Sequence, residues 1–482
     1  MKTIIYLAII LFTYTANPFS QWLPDVRLTN NPSESRMCDN NAKSISSSNE
    51  NVHIVWFDNR DGNSEIYYKR STNNGANWGN DVRLTTHNSI SRNPAISSAN
   101  NNVFVTWADQ RDGNDRIYFK RSTDNGASWS VDFPLSDNVS LAFLPAICVS
   151  GNTVLVVWGS ITGGAYSLRC KRSPDAGYSW ATETIISSSV YCSYPSISCY
   201  GGDAVVCWAD NRDGNEEIYF SKSSDLGINW NPETRLTNNV SQSTRPSICI
   251  DGRFVYVAWV DDRDGNKEIY FRSSYNYGGN WYGEIKFSNA AGESTFPNIA
   301  AYEDAVHIVW EDFRNGSDNS EVYYKMTTNR GGNWSTETRL TNSSSISGNP
   351  HVAVSGTNLH VVWHDFRNGG LPEIYFKRNP TGNPIGIQQT STEVPSGFEL
   401  SQNYPNPFNP ATNIKISVPK SEFIRLSVYD VTCKEVAVLV DEKLSAGVYN
   451  VDFNASHLSS GVYFYRLTSG SFTEVKKMML VK

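Results

Sequence analysis

The 482 residues predict an all-β chain: a seven-bladed β-propeller with its N-terminal strand closing the last blade, followed by a small β-sandwich. Three observations carry this. A tryptophan motif recurs at a nearly constant step. A second tryptophan series lacks one member, which sits at the other end of the chain. Short β-branched and aromatic segments lie between Asn, Asp, Gly and Ser clusters, and runs of helix formers are scarce.

The recurring motif is Val-x-Trp-x-Asp, with tryptophans at Trp56, Trp107, Trp158, Trp208, Trp259, Trp310 and Trp363, so the steps are 51, 51, 50, 51, 51 and 53. The second series is Trp78, Trp129, Trp180, Trp230, Trp281 and Trp334. Trp22 stands four residues before Val26 in "WLPDVRLT", as Trp78 does before Val82 in "WGNDVRLT", and is the missing member. The seventh copy is therefore split, with three strands near residues 350–378 and the fourth from residues 22–29. A closed ring accounts for that arrangement, because an open stack of such repeats would leave two apolar ends.

Each copy reads as four strands, A to D. In the second they fall near 94–97, at 102–109, at 116–122 and around 131–136. In strand B of the first copy Val52, Ile54, Trp56 and Asp58 share one face. C–D turns then lie at the same end of the ring as A–B turns, and B–C turns share the opposite end with the D–A connections.

The C–D turns carry a second motif. In "STDNGASW" the Ser122 hydroxyl and the Asp124 carboxylate can accept turn N–H groups, Gly126 supplies a positive φ, and Trp129 packs the turn down. "SPDAGYSW", with Asp175, Gly177 and Trp180, and "SSDLGINW", with Asp225, Gly227 and Trp230, fit the same pattern; three other copies have Asn in the Asp slot. Ser/Thr-x-Asp-x-Gly-x-x-Trp resembles the Asp-box, or bacterial neuraminidase repeat. Families with this box include sialidases, other glycosidases, lectins and non-enzymatic propellers. The resemblance therefore implies a fold and leaves the chemistry open.

The B–C loops repeat too: Asp58-x-Arg60, Asp109-x-Arg111, Asp210-x-Arg212 and Asp261-x-Arg263, each followed by Asp-Gly-Asn, with looser copies from Asp312 and Asp365. The third copy has "GSITGGAYS" instead. Three readings stay open. One is hairpin closures tied by Asp–Arg pairs, and another is a ring of equivalent weak ligand sites. Calcium is the third, since its oxygen ligands are present although the central Arg would repel the ion. Otherwise no cofactor is expected, and no zinc, nucleotide, nucleophile-elbow or phosphate-loop pattern occurs. His360 and His364 are about 13 Å apart on a strand, too far for one metal.

The copies differ in the residues before strand A: Arg92-Asn93, Phe143-Leu144, Ser193-Tyr194, Thr244-Arg245, Thr295-Phe296 and Gly348-Asn349. Arg36 takes a similar approach in the first. Arg36, Arg92 and Arg245 could converge on a carboxylate. A sialidase-like site would need such a trio, an acid, and a Tyr nucleophile helped by Glu. However, the Phe/Tyr-Arg-Ile-Pro signature of sialidases is absent, and sialidase propellers have six blades.

Residues 1–20, with Lys2 and the apolar run Ile4 to Phe12, read as a signal peptide cut near Ser20, too short to anchor in a bilayer. Net charge is −7 with basic residues scattered, which argues against nucleic acid and anionic membranes as partners. Of the eight cysteines, Cys148, Cys207 and Cys249 occupy strand slots and read as small buried apolar residues. One local pair, Cys192 with Cys199 or Cys207, stays open. The propeller spans 21–380 and a polar linker 381–397. The tail, 398–482, resembles the C-terminal sorting domain of type IX secretion substrates in Asn403-Tyr404-Pro405-Asn406-Pro407-Phe408-Asn409-Pro410, Gly447-Val448-Tyr449 and Gly461-Val462-Tyr463. That resemblance implies partnership with the secretion machinery and a protein released or held at the outer cell surface. The expected function is binding of an extracellular glycan or protein; the alternative is an exo-glycosidase of sialidase type.

Overall fold

The computed structural model describes residues 22–189, 191–380, 388–391, 394–444, 446–455 and 458–481. The segment read as a signal peptide lies outside them. The described residues form two compact units, one within Trp22–Pro384 and one within Ile385–Lys482.

The first unit consists of seven antiparallel sheets, six with four strands and one, the sheet that holds Trp56, with five because its inner strand is broken in two. Six arise from consecutive sequence. The seventh is ordered Val26–Arg27, Glu373–Asn379, Asn358–Asp365, Ser347–Ser355. The innermost strands touch their neighbours in an unbroken cycle that returns from Ser347–Ser355 to Ile45–Ser48. Blades are numbered here by their strand-B tryptophans, Trp56 being blade 1 and Trp363 blade 7. All seven of these indoles are fully buried, because strand B is an inner strand whose two faces both meet neighbouring blades.

The closing strand makes the contacts its counterparts make. Val26 pairs with Phe376 and Arg27 with Tyr375. Asp25 bridges Arg367 at 2.7 Å and Lys377 at 3.0 Å, as Asp81 bridges Arg60 at 2.7 Å and Lys69 at 2.9 Å. Trp22 meets Tyr324 edge-on at 5.1 Å, as Trp129 meets Tyr68 at 4.9 Å. In both cases the aromatic partner belongs to the preceding blade. The Asp-box tryptophans therefore join blades, where the sequence suggested only packing within one. Phe119 receives Trp180 and Phe271 receives Trp334 in the same way. Trp230 is the variant: it packs into the cluster that holds Leu155.

The Asp-box turns are built as expected. Ser122 Oγ accepts the Gly126 N–H at 2.8 Å, and Asp124 Oδ1 accepts the Ser128 N–H at 2.8 Å. The hydrogen bonds from Ser128 hold the Asp124 carboxyl below its usual range. Gly126 lies at φ 79°, and a Cβ there would meet the Tyr68 hydroxyl at 1.9 Å, so conformation and interblade space both require glycine. Asn125 N–H donates to Asn101 O across the A–B turn, which puts these turns at one end of the ring. Ser91 N–H donates to Ser64 O, which puts B–C loops and D–A connections together at the other.

One cysteine expectation is corrected. Cys148 and Cys199 form a disulfide, with Cα atoms 5.9 Å apart at a sequence separation of 51. They lie on the inner strands of blades 3 and 4, which run side by side around the channel. One repeat of sequence separates two neighbours in space, and the bridge ties adjacent blades. Cys192 and Cys207 are free and buried, as is Cys249.

The second unit is a sandwich of two four-stranded antiparallel sheets, ordered Gln388–Ser391, Gly447–Asn454, Ala411–Val418, Glu399–Leu400 and Glu435–Leu444, Glu422–Tyr429, Gly461–Ser469, Phe472–Leu480. Alternate residues such as Ile414, Ile416, Leu426, Val428, Tyr465 and Leu467 form its core. Gln388–Ser391, within the stretch read as linker, is thus an edge strand of the sandwich. The Asn403 amide donates to Pro405 O at 3.1 Å and Thr412 Oγ1 at 3.0 Å, and Phe408 enters the core.

Two predictions follow from the packing. Leu28 is buried at the closing seam, in the register slot of Leu84. Leu28→Ala and Leu84→Ala should each cost about 2–5 kcal/mol in denaturant unfolding; a neutral Leu28→Ala would mean that the N-terminal strand does not close the ring. Burial pushes His53, His307, His351, His360 and His364 down to about 3 from the ordinary 6.5. The unfolded chain then binds more protons than the folded one between those values, so stability is full above pH 6.5 and falls as the pH drops. Denaturant midpoints should decline measurably between pH 6.5 and 5, above the range in which ordinary carboxylates protonate.

Candidate functional site

The B–C loops and the D–A connections surround the mouth of the central channel. The repeated loop pairs prove to be fully engaged. Asp109 is buried and takes both Arg111 Nε at 2.8 Å and Nη2 at 2.6 Å; it also accepts Trp107 Nε1 at 2.8 Å and Ser91 Oγ at 3.0 Å. Burial alone would raise its carboxyl, and the hydrogen bonds from Arg111 and Trp107 more than reverse this, leaving it below the usual range. Arg111 continues to Asp132 at 2.7 Å and stacks on Tyr118 at 4.4 Å. Asp58 with Arg60, Asp210 with Arg212 and Asp261 with Arg263 repeat this arrangement. Asp312 with Arg314 and Asp365 with Arg367 do so as well. The carboxylate oxygens calcium would need are therefore held by guanidinium and indole. Among the described residues, no three His, Cys, Asp or Glu are grouped to hold a metal.

Blade 3 shows what the pair does. Ser160 stands where other blades have Asp, and both Trp158 Nε1 and Ser160 Oγ are buried without a hydrogen-bond partner. Its B and C strands extend to Thr153–Thr162 and Ala165–Ser173, and its fourth strand runs Thr184–Ser189 in place of the two-residue strand of most blades. This longer hairpin brings Tyr166 to within 6.3 Å of Phe143 and 5.5 Å of Tyr191, ring to ring.

The mouth is closed by a segment the sequence reading missed. Blade 1's inner strand is broken into Ser35–Arg36 and Ile45–Ser48, both paired with Asn51–Asp58. In blade 2 Arg92 and Ile96, which hold the same registers as Arg36 and Ile45, belong to one strand. The intervening spacing is nine positions in blade 1 and four in blade 2, and that difference was visible in the sequence. The extra residues cross the channel. Asn40 Nδ2 donates to Pro145 O at 3.1 Å and Asn41 Nδ2 to Arg245 O at 2.7 Å. Asn298 Nδ2 donates to Asn41 O at 3.2 Å and Asn349 Nδ2 to Cys38 O at 2.7 Å. Blades 3, 5, 6 and 7 thus hold the plug, and Met37, Cys38, Asn40, Asn41 and Ala42 are buried.

Around the plug runs a ring of left-handed residues, one from the D–A bulge of each of six blades: Asn93, Leu144, Tyr194, Arg245, Phe296 and Asn349, with φ between 49° and 52°. Asn tolerates this region; leucine, tyrosine, arginine and phenylalanine occupy it at a cost of about 1–3 kcal/mol each. The four costly residues fall in adjacent blades, 3 to 6. Their side chains are partly exposed. The Arg245 guanidinium lies between Tyr194 at 4.6 Å and Phe296 at 4.3 Å, and its Nη1 donates to Asp39 O at 2.8 Å.

The three arginines do not converge. Arg36 pairs with Glu34 at 2.7 Å and Arg92 with Asp115 at 2.5 Å, each within its own blade. Arg245 has no carboxylate ion pair among the described residues. Three acids lie in its field: Asp39, Glu216 and Glu311. Burial raises Glu311, which accepts Ser320 Oγ at 2.7 Å and the Asn349 N–H at 2.9 Å. Gly348 makes room for it, since a Cβ there would meet the carboxylate at 2.8 Å. Glu216 and Tyr191 are mutual neighbours, both raised first by burial.

The comparisons bear on fold and export. A polysaccharide lyase, Uly1, is similar at a TM-score of 0.50 and 9% identity over 75% of this chain and 100% of that one. Trypanosoma rangeli sialidase matches at 0.44 and 12% over 94% and 88%, and phage phi92 endosialidase at 0.45 and 10% over 95% and 79%. No curated protein matches the sequence. Residues 402–482 match the secretion system C-terminal sorting domain, which marks the chain as exported to the cell surface. No helix among the described residues is long and apolar enough to cross a membrane. Residues 51–308, more than half of the 482, match the model of the BNR repeat-like domain, and the chain belongs to that family.

Proposed function

We propose that this exported propeller binds an extracellular glycan carrying carboxylate groups, at the arc of the channel mouth formed by blades 3 to 6. One observation carries the reading: bulky residues are held in the left-handed region in four adjacent blades, with an arginine sandwiched between two of their rings. Backbone strain of this kind persists where the surroundings enforce it, and it concentrates at ligand sites. Stacked rings pre-organise the guanidinium and leave its edge free for bidentate contact with a carboxylate. Phe143, Tyr166 and Tyr191 extend the arc with ring faces suited to the apolar side of a sugar.

The exo-glycosidase reading has one observation in its favour, the Tyr191–Glu216 pair beside Arg245. Against it stands the absence of an arginine trio, since Arg36 and Arg92 are committed to Glu34 and Asp115.

Purified full-length protein should bind acidic glycans on an array and leave a fluorogenic sialoside intact. Arg245→Ala should weaken binding by about tenfold or more, the worth of a charge-assisted contact. Turnover of the sialoside, abolished by Arg245→Ala, would replace the binding reading with the hydrolytic one. Rim carboxylates should behave differently. Asp109→Ala leaves Arg111 and Trp107 without their buried partner and should lower stability by about 3–5 kcal/mol, with glycan affinity of the folded fraction unchanged. Loss of affinity in a fully stable Asp109→Ala protein would move the site to the loop ring.

A further inference from the structure

The end of the ring opposite the mouth carries the A–B turns and the Asp-box turns, and one side of it is aromatic. Among the described residues of the propeller six tyrosines are exposed: Tyr178, Tyr200, Tyr275, Tyr277, Tyr282 and Tyr302. All six belong to these turns, and all six lie in blades 3 to 6. The two kinds of turn sit side by side, since the N–H groups of Leu226, Tyr277 and Arg330 donate to Gly202 O, Arg253 O and Asp304 O. Blade 5 has three of the tyrosines in one turn, where the rings of Tyr275 and Tyr282 meet at 5.4 Å and 48°.

Folding does not ask for these rings. The blade 5 turn is fastened by other groups: Ser274 Oγ accepts the Gly278 N–H at 2.9 Å, Asn276 Oδ1 accepts the Asn280 N–H at 2.6 Å, and Trp281 packs on Phe220. The slot of Tyr275 holds Thr72, Thr123, Pro174, Ser224 and Thr328 in the other copies, and that of Tyr282 holds Gly79, Ser130, Ala181, Asn231 and Ser335. The A–B slot of Tyr200 and Tyr302 holds Ser48, Ala99, Ser150, Asp251 and Ser355. Exposed rings where the same turn elsewhere takes a small or polar residue point to a ligand rather than to the fold.

The surroundings narrow the ligand. Ser179, Gly201, Asn276 and Glu303 border the rings in sequence, so the face is not the contiguous apolar patch of a protein interface. Around the rings Asp175, Asp203, Asp225, Asp251, Glu303 and Asp304 outnumber Arg172, Lys222, Arg253 and Arg330. That balance does not draw a polyanion. An uncharged saccharide meets both conditions, because the C–H face of a pyranose packs on an aromatic ring while its hydroxyls reach polar neighbours. We propose that this arc is a second carbohydrate site, for an extended neutral glycan laid across the turns of blades 3 to 6. It faces away from the mouth and does not depend on the carboxylated-glycan reading.

The test is affinity electrophoresis of the full-length protein in gels containing hydroxyethyl cellulose, laminarin or galactomannan, with polysaccharide-free gels as reference. At least one of these neutral polysaccharides should retard the protein. Tyr200→Ala and Tyr282→Ala should each weaken that binding about threefold to tenfold without moving the denaturant midpoint, and Tyr282→Phe should keep it, because stacking needs the ring and not the hydroxyl. Arg245→Ala should leave it untouched, which separates this face from the mouth. The proposal falls if none of the three polysaccharides retards the protein, or if the alanine variants migrate as the natural chain does. It falls equally if the natural chain sediments as a dimer that Tyr282→Ala dissociates, which would give the face to a second copy.

Discussion

Closure of the ring is the constraint from which the rest of the structure follows. No blade can bury its own faces. Each strand-B tryptophan is covered only because another sheet lies on either side, and the Asp-box tryptophans pack on the preceding blade, on an aromatic ring in every case but Trp230. The chain ends are joined by the ladder between Val26 and Phe376 and by the Asp25–Arg367 pair, which close a loop of 342 residues. Long loops add only slowly to the entropic cost of closure, since it grows with the logarithm of length. One complete set of blade-to-blade contacts is gained in return. The N-terminal strand is the seventh member of a repeated contact, with the acid and the tryptophan that the other six have.

Once the ring is closed, repetition and function separate. The Asp–Arg pairs of the B–C loops recur in six blades because each answers the same local need: a buried indole N–H, a strand end and an acid on the fourth strand must be satisfied together. Their carboxylates are consumed by that task. Blade 3, which lacks the pair, leaves its indole N–H unpartnered and uses its loop for a longer hairpin that presents Tyr166 instead. Asymmetry concentrates there, in the four bulky left-handed residues and in the insertion of blade 1. Departures from a local rule that recur in adjacent blades mark positions where something other than folding has set the residue.

Much of this was legible in the sequence. The step of the tryptophans fixed the blades, Trp22 located the seam, and the pairs ahead of each strand A marked where the blades differ. Three features were not legible, for distinct physical reasons. The disulfide joins cysteines one full repeat apart, and local spacing says nothing about neighbours in phase on adjacent blades. The arginine trio failed because Glu34 and Asp115, close in their own blades, offer partners that convergence across the channel cannot match. The plug's extra residues were visible, since Trp22 and Trp56 are 34 positions apart where Trp78 and Trp107 are 29, but the step between strand-B tryptophans is blind to them because they precede Trp56, and nothing local says that they cross the channel.

The plug also explains why the mouth can be strained and yet stable. Asn40 and Asn41 donate to carbonyls of blades 3 and 5, and the Asn41 and Cys38 carbonyls accept from Asn298 and Asn349 of blades 6 and 7, so hydrogen bonds to four blades hold the plug, while the Asn40 and Asn41 side-chain oxygens are buried without a partner. Residues tied to four blades cannot shift without loosening each of them. Asp39 O, fixed in this way, holds the Arg245 guanidinium from below while Tyr194 and Phe296 hold it from the sides. Such a floor turns a costly backbone conformation into a rigid one, and rigidity lowers the entropy a ligand must pay to order its site. Placing the costly residues around the plug is then consistent with their role: the segment that blocks the channel is what gives the mouth a fixed surface to bind with.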